Sequence, residues 1–323
     1  MEPKTHSTRI KPPALRSGDT IGIVAISSNV QREALEAGCD ELRRLGYKPL
    51  YSDSIFERDL YFAGPLDRRL REFEAMLEND DVKAIVCARG GYGANYLLEH
   101  LNVQKIKQHP KIFVGYSDLT NFMTYLTDRC NLVTFHGPMA AKDFDHAGGV
   151  DLPSWNAALT GQAEWEVGSD SGITTLVEGK AEGILYGGCL SLLVASLGTA
   201  YEIEPVGTLL FIEDVAAKPF QIDRMVLQLK LAGKLNGVRG IIFGEMLDCL
   251  QTAQQDYTLQ EVVLRIVGDL GIPVAYGLRS GHVSRGNITL PFGVRAALNA
   301  KNGEATLRIL EPATTPADAG ASA

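Results

Sequence analysis

The 323-residue chain predicts an α/β fold, with an N-terminal domain on a doubly wound, mostly parallel sheet and a smaller, β-rich α+β domain after it. Three observations predict it. The first half alternates short apolar runs with amphipathic helical patterns at the spacing of βα units. Near residue 150 that texture breaks, and a mixed, strand-rich pattern follows. A chain of this length also exceeds a single small core. The expected boundaries are 1–150 for the first domain, 151–175 for a linker and 176–312 for the second domain. The small, polar, Pro-containing residues 313–323 read as a disordered tail.

Each element has its own justification. Thr20–Ser27 is a β-branched apolar run and reads as the first strand. Arg32–Leu45 carries Leu35, Cys39, Leu42 and Leu45 on one helical face and stops at Gly46. Lys48–Ser52 reads as a second strand, Asp67–Leu77 as a charged amphipathic helix, and Val82–Ala88 as a third strand running into R-G-G-Y-G. Tyr96–Leu101 is expected to be helical. Ile112–Val114 is a short buried strand broken at Gly115, and Leu119, Phe122, Met123 and Leu126 then repeat at helical spacing. Residues 151–175 show no clear period. Beyond them come a strand at Leu209–Ile212, a helix at Ile222–Leu231, a strand at Ile241–Phe243 and a helix at Leu259–Leu270. A closing hairpin turns at Asn302–Gly303 between Val294–Leu298 and Ala305–Leu310.

Ser117 occupies a sharp strand-to-helix turn, with Asp118 opening the helix. Such a turn projects a hydroxyl at the C-terminal edge of a parallel sheet, beside the first free N–H groups of the helix. That is the setting of a serine nucleophile with part of an oxyanion hole, and equally of a serine that caps a helix. G-Y-S-D also lacks the second glycine of the usual elbow. A serine nucleophile needs a base and an orienting acid. His6 lies in the polar leader, and His100, His109 and His146 sit in helix ends or loops. His136 follows a short strand, and His282 lies between Gly281 and a loop containing Gly286. A histidine flanked by such loops is more often exposed and inert than catalytic. Glu213 and Asp214 end the strand Leu209–Ile212, where Asp214 serves equally well as a cap for the next helix. The residues alone leave this as a shortlist.

Composition removes several function classes. Net charge is −8 and there is no Lys/Arg block, so neither nucleic acid nor an anionic membrane is expected as a partner. Cys39, Cys87, Cys130, Cys189 and Cys249 are scattered singly, without a C-x-x-C pair. This opposes both a disulfide framework and a zinc site and fits a reducing compartment. The first apolar run begins too far in for a signal peptide, no segment is long enough to span a membrane, and the cytoplasm is the expected location. The glycines of R-G-G-Y-G fail the dinucleotide pattern G-x-G-x-x-G, because Tyr96 stands at its last position. No metal and no cofactor is expected.

The order of motifs resembles the LD-carboxypeptidase family, or muramoyltetrapeptide carboxypeptidases, together with the related microcin C self-immunity peptidases. The likeness runs from about Leu15 to Leu310. It rests on Arg16–Ala25, Val82–Gly93, Phe113–Thr120 (F-V-G-Y-S-D-L-T) and Phe135–Met139 (F-H-G-P-M). It continues through Leu185–Leu193, Leu209–Val215 (L-L-F-I-E-D-V), Gln221–Leu229 and Gly281–Gly293. The resemblance implies a serine peptidase whose Ser–Glu–His triad falls on Ser117, Glu213 and His282, divided between two domains. With the triad so placed, the oxyanion hole is expected from the backbone N–H groups of Asp118 and Gly91. Two departures are visible: relatives often have asparagine where Cys189 stands, and commonly a proline near Ile26. A lone cysteine in an apolar run is usually a packing residue, so Cys189 is a weak rival nucleophile. Arg89 reads as an exposed turn arginine rather than an anchor for a substrate carboxylate. The implied substrate is a murein tetrapeptide losing its terminal D-alanine. The alternatives are a microcin-type acyl or peptidyl nucleotide, or a silent muropeptide-binding protein on the same scaffold. Trp155 and Trp165 lie away from the triad motifs, which favours the murein peptide over an adenine platform. Relatives commonly form homodimers, and a homodimer is expected here.

Overall fold

The computed structural model describes residues 9–167, 172–250 and 256–316. Two sheets organise them. The first uses β1 (Thr20–Val24), β2 (Lys48–Leu50), β3 (Val82–Cys87), β4 (Ile112–Gly115) and β5 (Thr134–His136), all parallel, in the order 2-1-3-4-5. Helices α1 (Arg32–Arg44), α2 (Leu66–Glu78), α3 (Val103–Gln108) and α4 (Thr120–Arg129) make the connections. The strand order reverses at β1. In an open parallel sheet the crevice for a ligand lies at that reversal, outside the carboxyl ends of the strands. Those ends lead into Ser27–Asn29, Arg89–Gly91 and Tyr116–Asp118.

The second half begins with α5 (Leu152–Leu159), β6 (Trp165–Val167) and β7 (Thr174–Val177). It continues with β8 (Gly179–Cys189), α6 (Leu190–Ala195), β9 (Thr208–Glu213), α7 (Pro219–Leu231), β10 (Gly240–Gly244), α8 (Leu259–Val267) and β11 (Val274–Leu278). The last strands are β12 (Leu290–Phe292), β13 (Arg295–Lys301) and β14 (Glu304–Ile309). β8, β9, β10 and β11 are parallel neighbours joined by α6, α7 and α8, so this half is wound through βα units as well. β13 pairs with β8 on one side and β14 on the other, and β14 touches β7, which closes the sheet on itself. Asn302 and Gly303 both take positive φ, as a two-residue hairpin turn requires.

Several expectations need correction. Residues 151–175 are not an unstructured linker: Asp151 caps α5 by accepting from the Ser154 N–H, and β6 pairs with β14. The helix signal was the Asp-Leu-Pro start; the strand exists only through its distant partner. With β6 and β7 included, the second sheet has eight strands against six, so it is the larger of the two. Residues 313–316 of the expected disordered tail are held in place, with Thr315 and Pro12–Ala14 exchanging backbone hydrogen bonds of 2.9 Å. Residues 317–323 lie outside the described residues. Tyr96–Leu101 is covered by a 3-10 helix at Ala94–His100, squeezed between Gly93 and the Asn102 cap of α3. Finally, β12 from the second half joins the first sheet, antiparallel to β5. The halves share one apolar core through it, running from Val114 and Phe135 through Phe292 to Leu185 and Phe211.

Candidate active site

Ser117 follows β4 at φ +65°, a left-handed conformation that a serine adopts only when its surroundings enforce it. It opens the 3-10 turn Ser117–Leu119 that leads into α4. The turn is anchored from below by Asp118, whose buried Oδ2 accepts from the Ser27 hydroxyl at 2.6 Å and the Ala94 N–H at 2.8 Å. Gly90 is the close neighbour: a Cβ there would lie 2.9 Å from the Ser117 Cβ. Gly91, at φ +119°, packs on Ser28, whose hydroxyl a Cβ would meet at 2.3 Å. Side chains are therefore excluded at Gly90, against the serine, and at Gly91, against Ser28. Arg89 is half-buried rather than exposed and donates to the Asn29 carbonyl at 3.4 Å.

Glu213 is the last residue of β9 and is fully buried. Its Oε2 accepts two hydrogen bonds from His282, from Nδ1 at 2.8 Å and from the backbone N–H at 3.1 Å. With the Nδ1 proton committed to the carboxylate, Nε2 carries the free lone pair, which is the tautomer a general base needs. Burial lowers the pKa of the His282 ring, but the Glu213 charge and hydrogen bond, with Asp214 and Asp143 behind them, more than reverse this and leave it raised. The ring meets Tyr116, the residue before Ser117, edge-on at 5.1 Å. Thus Glu213 and His282 are in direct contact, and Ser117 is tied to them through Tyr116.

Further residues, not singled out from sequence, bind the serine turn to the histidine loop. Tyr116 donates to Asp143 Oδ1 at 3.4 Å, and Asn287 Nδ2 donates to the same oxygen at 3.3 Å and to the Gly281 carbonyl at 3.1 Å. Asn287 Oδ1 in turn accepts from the Gly281 N–H at 2.9 Å. Burial raises the Asp143 pKa to about 6. His136, only one of several histidines on sequence grounds, lies behind Glu213, fully buried and held neutral by a pKa lowered by burial to about 3. Ser280 gives its hydroxyl hydrogen to the Ile288 carbonyl at 2.7 Å, so it accepts from His136 Nδ1 at 2.9 Å. His136 Nε2 is then an acceptor, facing Glu213 Oε1 at 3.9 Å, and neither atom has a hydrogen-bond partner among the described residues. Gly281, at φ +91°, makes the arrangement possible, since a Cβ would come within 2.7 Å of the Glu213 carboxyl carbon and 2.8 Å of the His136 ring.

Cys189 pairs in register with Glu213 across β8 and β9. Its sulfur, the Glu213 carboxylate and an imidazole nitrogen of His282 lie within 4.8 Å of one another. These three atoms suit a metal less well than their spacing suggests. Burial, with Glu213 and Asp214 nearby, pushes the thiol well above its ordinary pKa, and the other two ligands are engaged with each other. A protonated thiol with its S–H near Ser191 at 3.3 Å is no nucleophile either. Trp155 and Trp165 are buried in the shared core and offer no face to a ligand. No helix among the described residues is long and apolar enough to cross a membrane.

Residues 21–137 match the LD-carboxypeptidase N-terminal domain and residues 182–298 the LD-carboxypeptidase C-terminal domain. The chain is 37% identical over 305 residues to a probable murein peptide carboxypeptidase of Bacillus subtilis, covering 93% of this chain and 95% of that one. It is 30% identical over 333 residues to the microcin C7 self-immunity protein MccF of Escherichia coli, with 93% and 95% covered. It superimposes on the muramoyltetrapeptide carboxypeptidase of Oxalobacter formigenes with a TM-score of 0.79 at 30% identity, over 90% of this chain and 98% of that one. On both halves and over nearly its full length, the chain belongs to the LD-carboxypeptidase family.

Proposed function

We propose that the protein is a serine carboxypeptidase that hydrolyses the L,D-peptide bond of murein tetrapeptides and releases the terminal D-alanine. The observation that carries this is the buried Glu213 taking both hydrogen bonds from His282, beside the strained Ser117 turn. In the mechanism, His282 Nε2 takes the Ser117 proton as Oγ bonds to the carbonyl carbon. The developing oxyanion is met by backbone N–H groups of Asp118 and Gly91. Collapse breaks the C–N bond, and His282 returns the proton to the departing amine of D-alanine. Water then attacks the acyl-enzyme by the same route and regenerates Ser117. Glu213 stabilises the imidazolium.

The relatives named murein peptide and muramoyltetrapeptide carboxypeptidase support the substrate class. The MccF relative supports a second reading, a peptidase acting on acyl or peptidyl nucleotides. We place the enzyme in the cytoplasm, in line with five buried, unpaired cysteines, acting in peptidoglycan recycling as a homodimer. Mass-spectrometric analysis of a muropeptide panel alongside an aminoacyl sulfamoyl adenosine decides between the two substrates. Loss of D-alanine from tetrapeptides alone is the expected result; cleavage of the adenosine compound alone would reverse the assignment.

A further inference from the structure

Beside the serine turn, four aromatic rings form one cluster that the catalytic reading does not use. Phe62 is its centre, 4.5 Å from Tyr61, 5.9 Å from Tyr92 and 5.4 Å from Tyr96. Tyr61 and Tyr92 are 5.8 Å apart, and Tyr92 and Tyr96 6.1 Å. The three tyrosines are 54%, 47% and 50% exposed, an open apolar surface with a hydroxyl on each ring. Surfaces of this kind on a soluble protein mark binding sites.

The cluster is mounted on the loop that follows β1 and on the R-G-G-Y-G turn. The Tyr92 N–H donates to the Ser28 hydroxyl at 3.0 Å, and the Asn29 N–H to the Tyr61 carbonyl at 3.4 Å. Below, the buried Arg69 lies 4.8 Å under the Phe62 ring and donates to the Ile26 and Gly93 carbonyls, both at 2.8 Å. A Cβ on Gly93 would strike Phe62 at 2.6 Å, so glycine is required for this packing.

We propose that Tyr61, Tyr92 and Tyr96 form the subsite that stacks against the amino sugar of a muramoyl-peptide substrate; this rests on the proposed carboxypeptidase function. Reach supports it. Gly90 touches Ser117, and Tyr92 follows two residues later, at most about 7 Å further along the chain. Three peptide residues lie between the sugar and the scissile bond of a tetrapeptide, and they span about 10 Å when extended. A sugar linked to that peptide is therefore within reach of Tyr92 and its neighbours. Ring geometry excludes a nucleobase held between two of these rings. A base held between two rings needs parallel planes about 7 Å apart, two aromatic contact distances. The one near-parallel pair, Phe62 and Tyr92, is already closer than that at 5.9 Å, and the other contacts are tilted by 56° or more. What remains are single exposed faces ringed by hydroxyls, which suit the C–H face and hydroxyls of a pyranose.

The test compares N-acetylmuramoyl tetrapeptide with the sugar-free tetrapeptide, on the wild type and on Tyr61→Ala and Tyr92→Ala. Wild-type kcat/KM should favour the muramoyl form. Each variant should lose about tenfold more on that form than on the free peptide, in KM rather than kcat. Calorimetry with Ser117→Ala protein supplies a readout independent of turnover. The muramoyl form should bind more tightly, and adding Tyr61→Ala should abolish the difference. Equal losses on both substrates, no sugar preference in binding, or a variant that changes the assembly mass would each overturn the proposal. A preserved binding preference with neither substrate cleaved by wild type would refute the carboxypeptidase reading and leave the subsite standing.

Discussion

Replacing Glu213 by Gln separates charge from hydrogen bonding in an unusually clean way. In the wild type Oε2 accepts both hydrogen bonds from His282, while Oε1 faces the acceptor Nε2 of His136 at 3.9 Å. A glutamine side chain can place its oxygen toward His282 and its NH2 toward His136, so that a donor faces an acceptor where two acceptors now stand. The fold should therefore be kept, with thermal stability at or above wild type, since a buried charge is gone and an orphaned acceptor gains a donor. Catalysis loses the carboxylate that stabilises the imidazolium. With charge centres about 4 Å apart and an effective dielectric near 20, that interaction is worth about 4 kcal/mol. At 1.36 kcal/mol per tenfold, kcat/KM should fall about a thousandfold. The pH profile should also move. His282 must be neutral to accept the Ser117 proton, so kcat/KM rises with pH through its raised folded-state pKa. Removing the charge shifts that limb to lower pH. The stability term has the opposite sense: a raised folded pKa stabilises the protein below the unfolded histidine value, and this is lost as pH rises through the folded one. Steady-state kinetics across pH and a melting curve at neutral pH check both halves. A loss below tenfold would refute the electrostatic role of Glu213, and a strongly lowered melting temperature would refute the tautomer assigned to His136.

Ser117→Ala should leave a folded protein whose turnover is lower by several orders of magnitude, with the melting curve as control. EDTA should not inhibit, because the three atoms spaced for a metal are a protonated thiol and a hydrogen-bonded Glu–His pair; inhibition reversed by added metal would refute this. Amidating the substrate C-terminus should lower turnover severely and an all-L tetrapeptide should be inert, since a methyl-sized side chain supplies only about 1–3 kcal/mol of discrimination and polar anchoring must supply the rest. Light scattering at micromolar concentration should give twice the 35.0 kDa chain mass, and a single-chain mass would exclude the homodimer.

How much of this was legible in the sequence depends on what holds each element. α1, α2 and the Ser117 strand carry local signals of period, stop and break, and they stand within a few residues of their expected bounds. β6, β12 and the Thr315 contact exist only through distant partners, β14, β5 and Pro12, and no local pattern encodes such pairing. The site divides in the same way. Ser117 announces itself, because a strand-to-helix turn is a local event, but nothing local selects His282 over His136. The selection is made by burial and by one proton. His136 is sealed between Phe211 and Phe292, with its Nδ1 hydrogen given to Ser280. His282 keeps an edge toward solvent and gives its Nδ1 hydrogen to Glu213. The two imidazoles sit on opposite oxygens of a single carboxylate, one an acceptor facing Oε1 and the other with its Nε2 lone pair free, as the proposed base requires. The two histidines are thus told apart by their hydrogen bonds to Ser280 and Glu213, residues that become their neighbours only once both sheets are assembled.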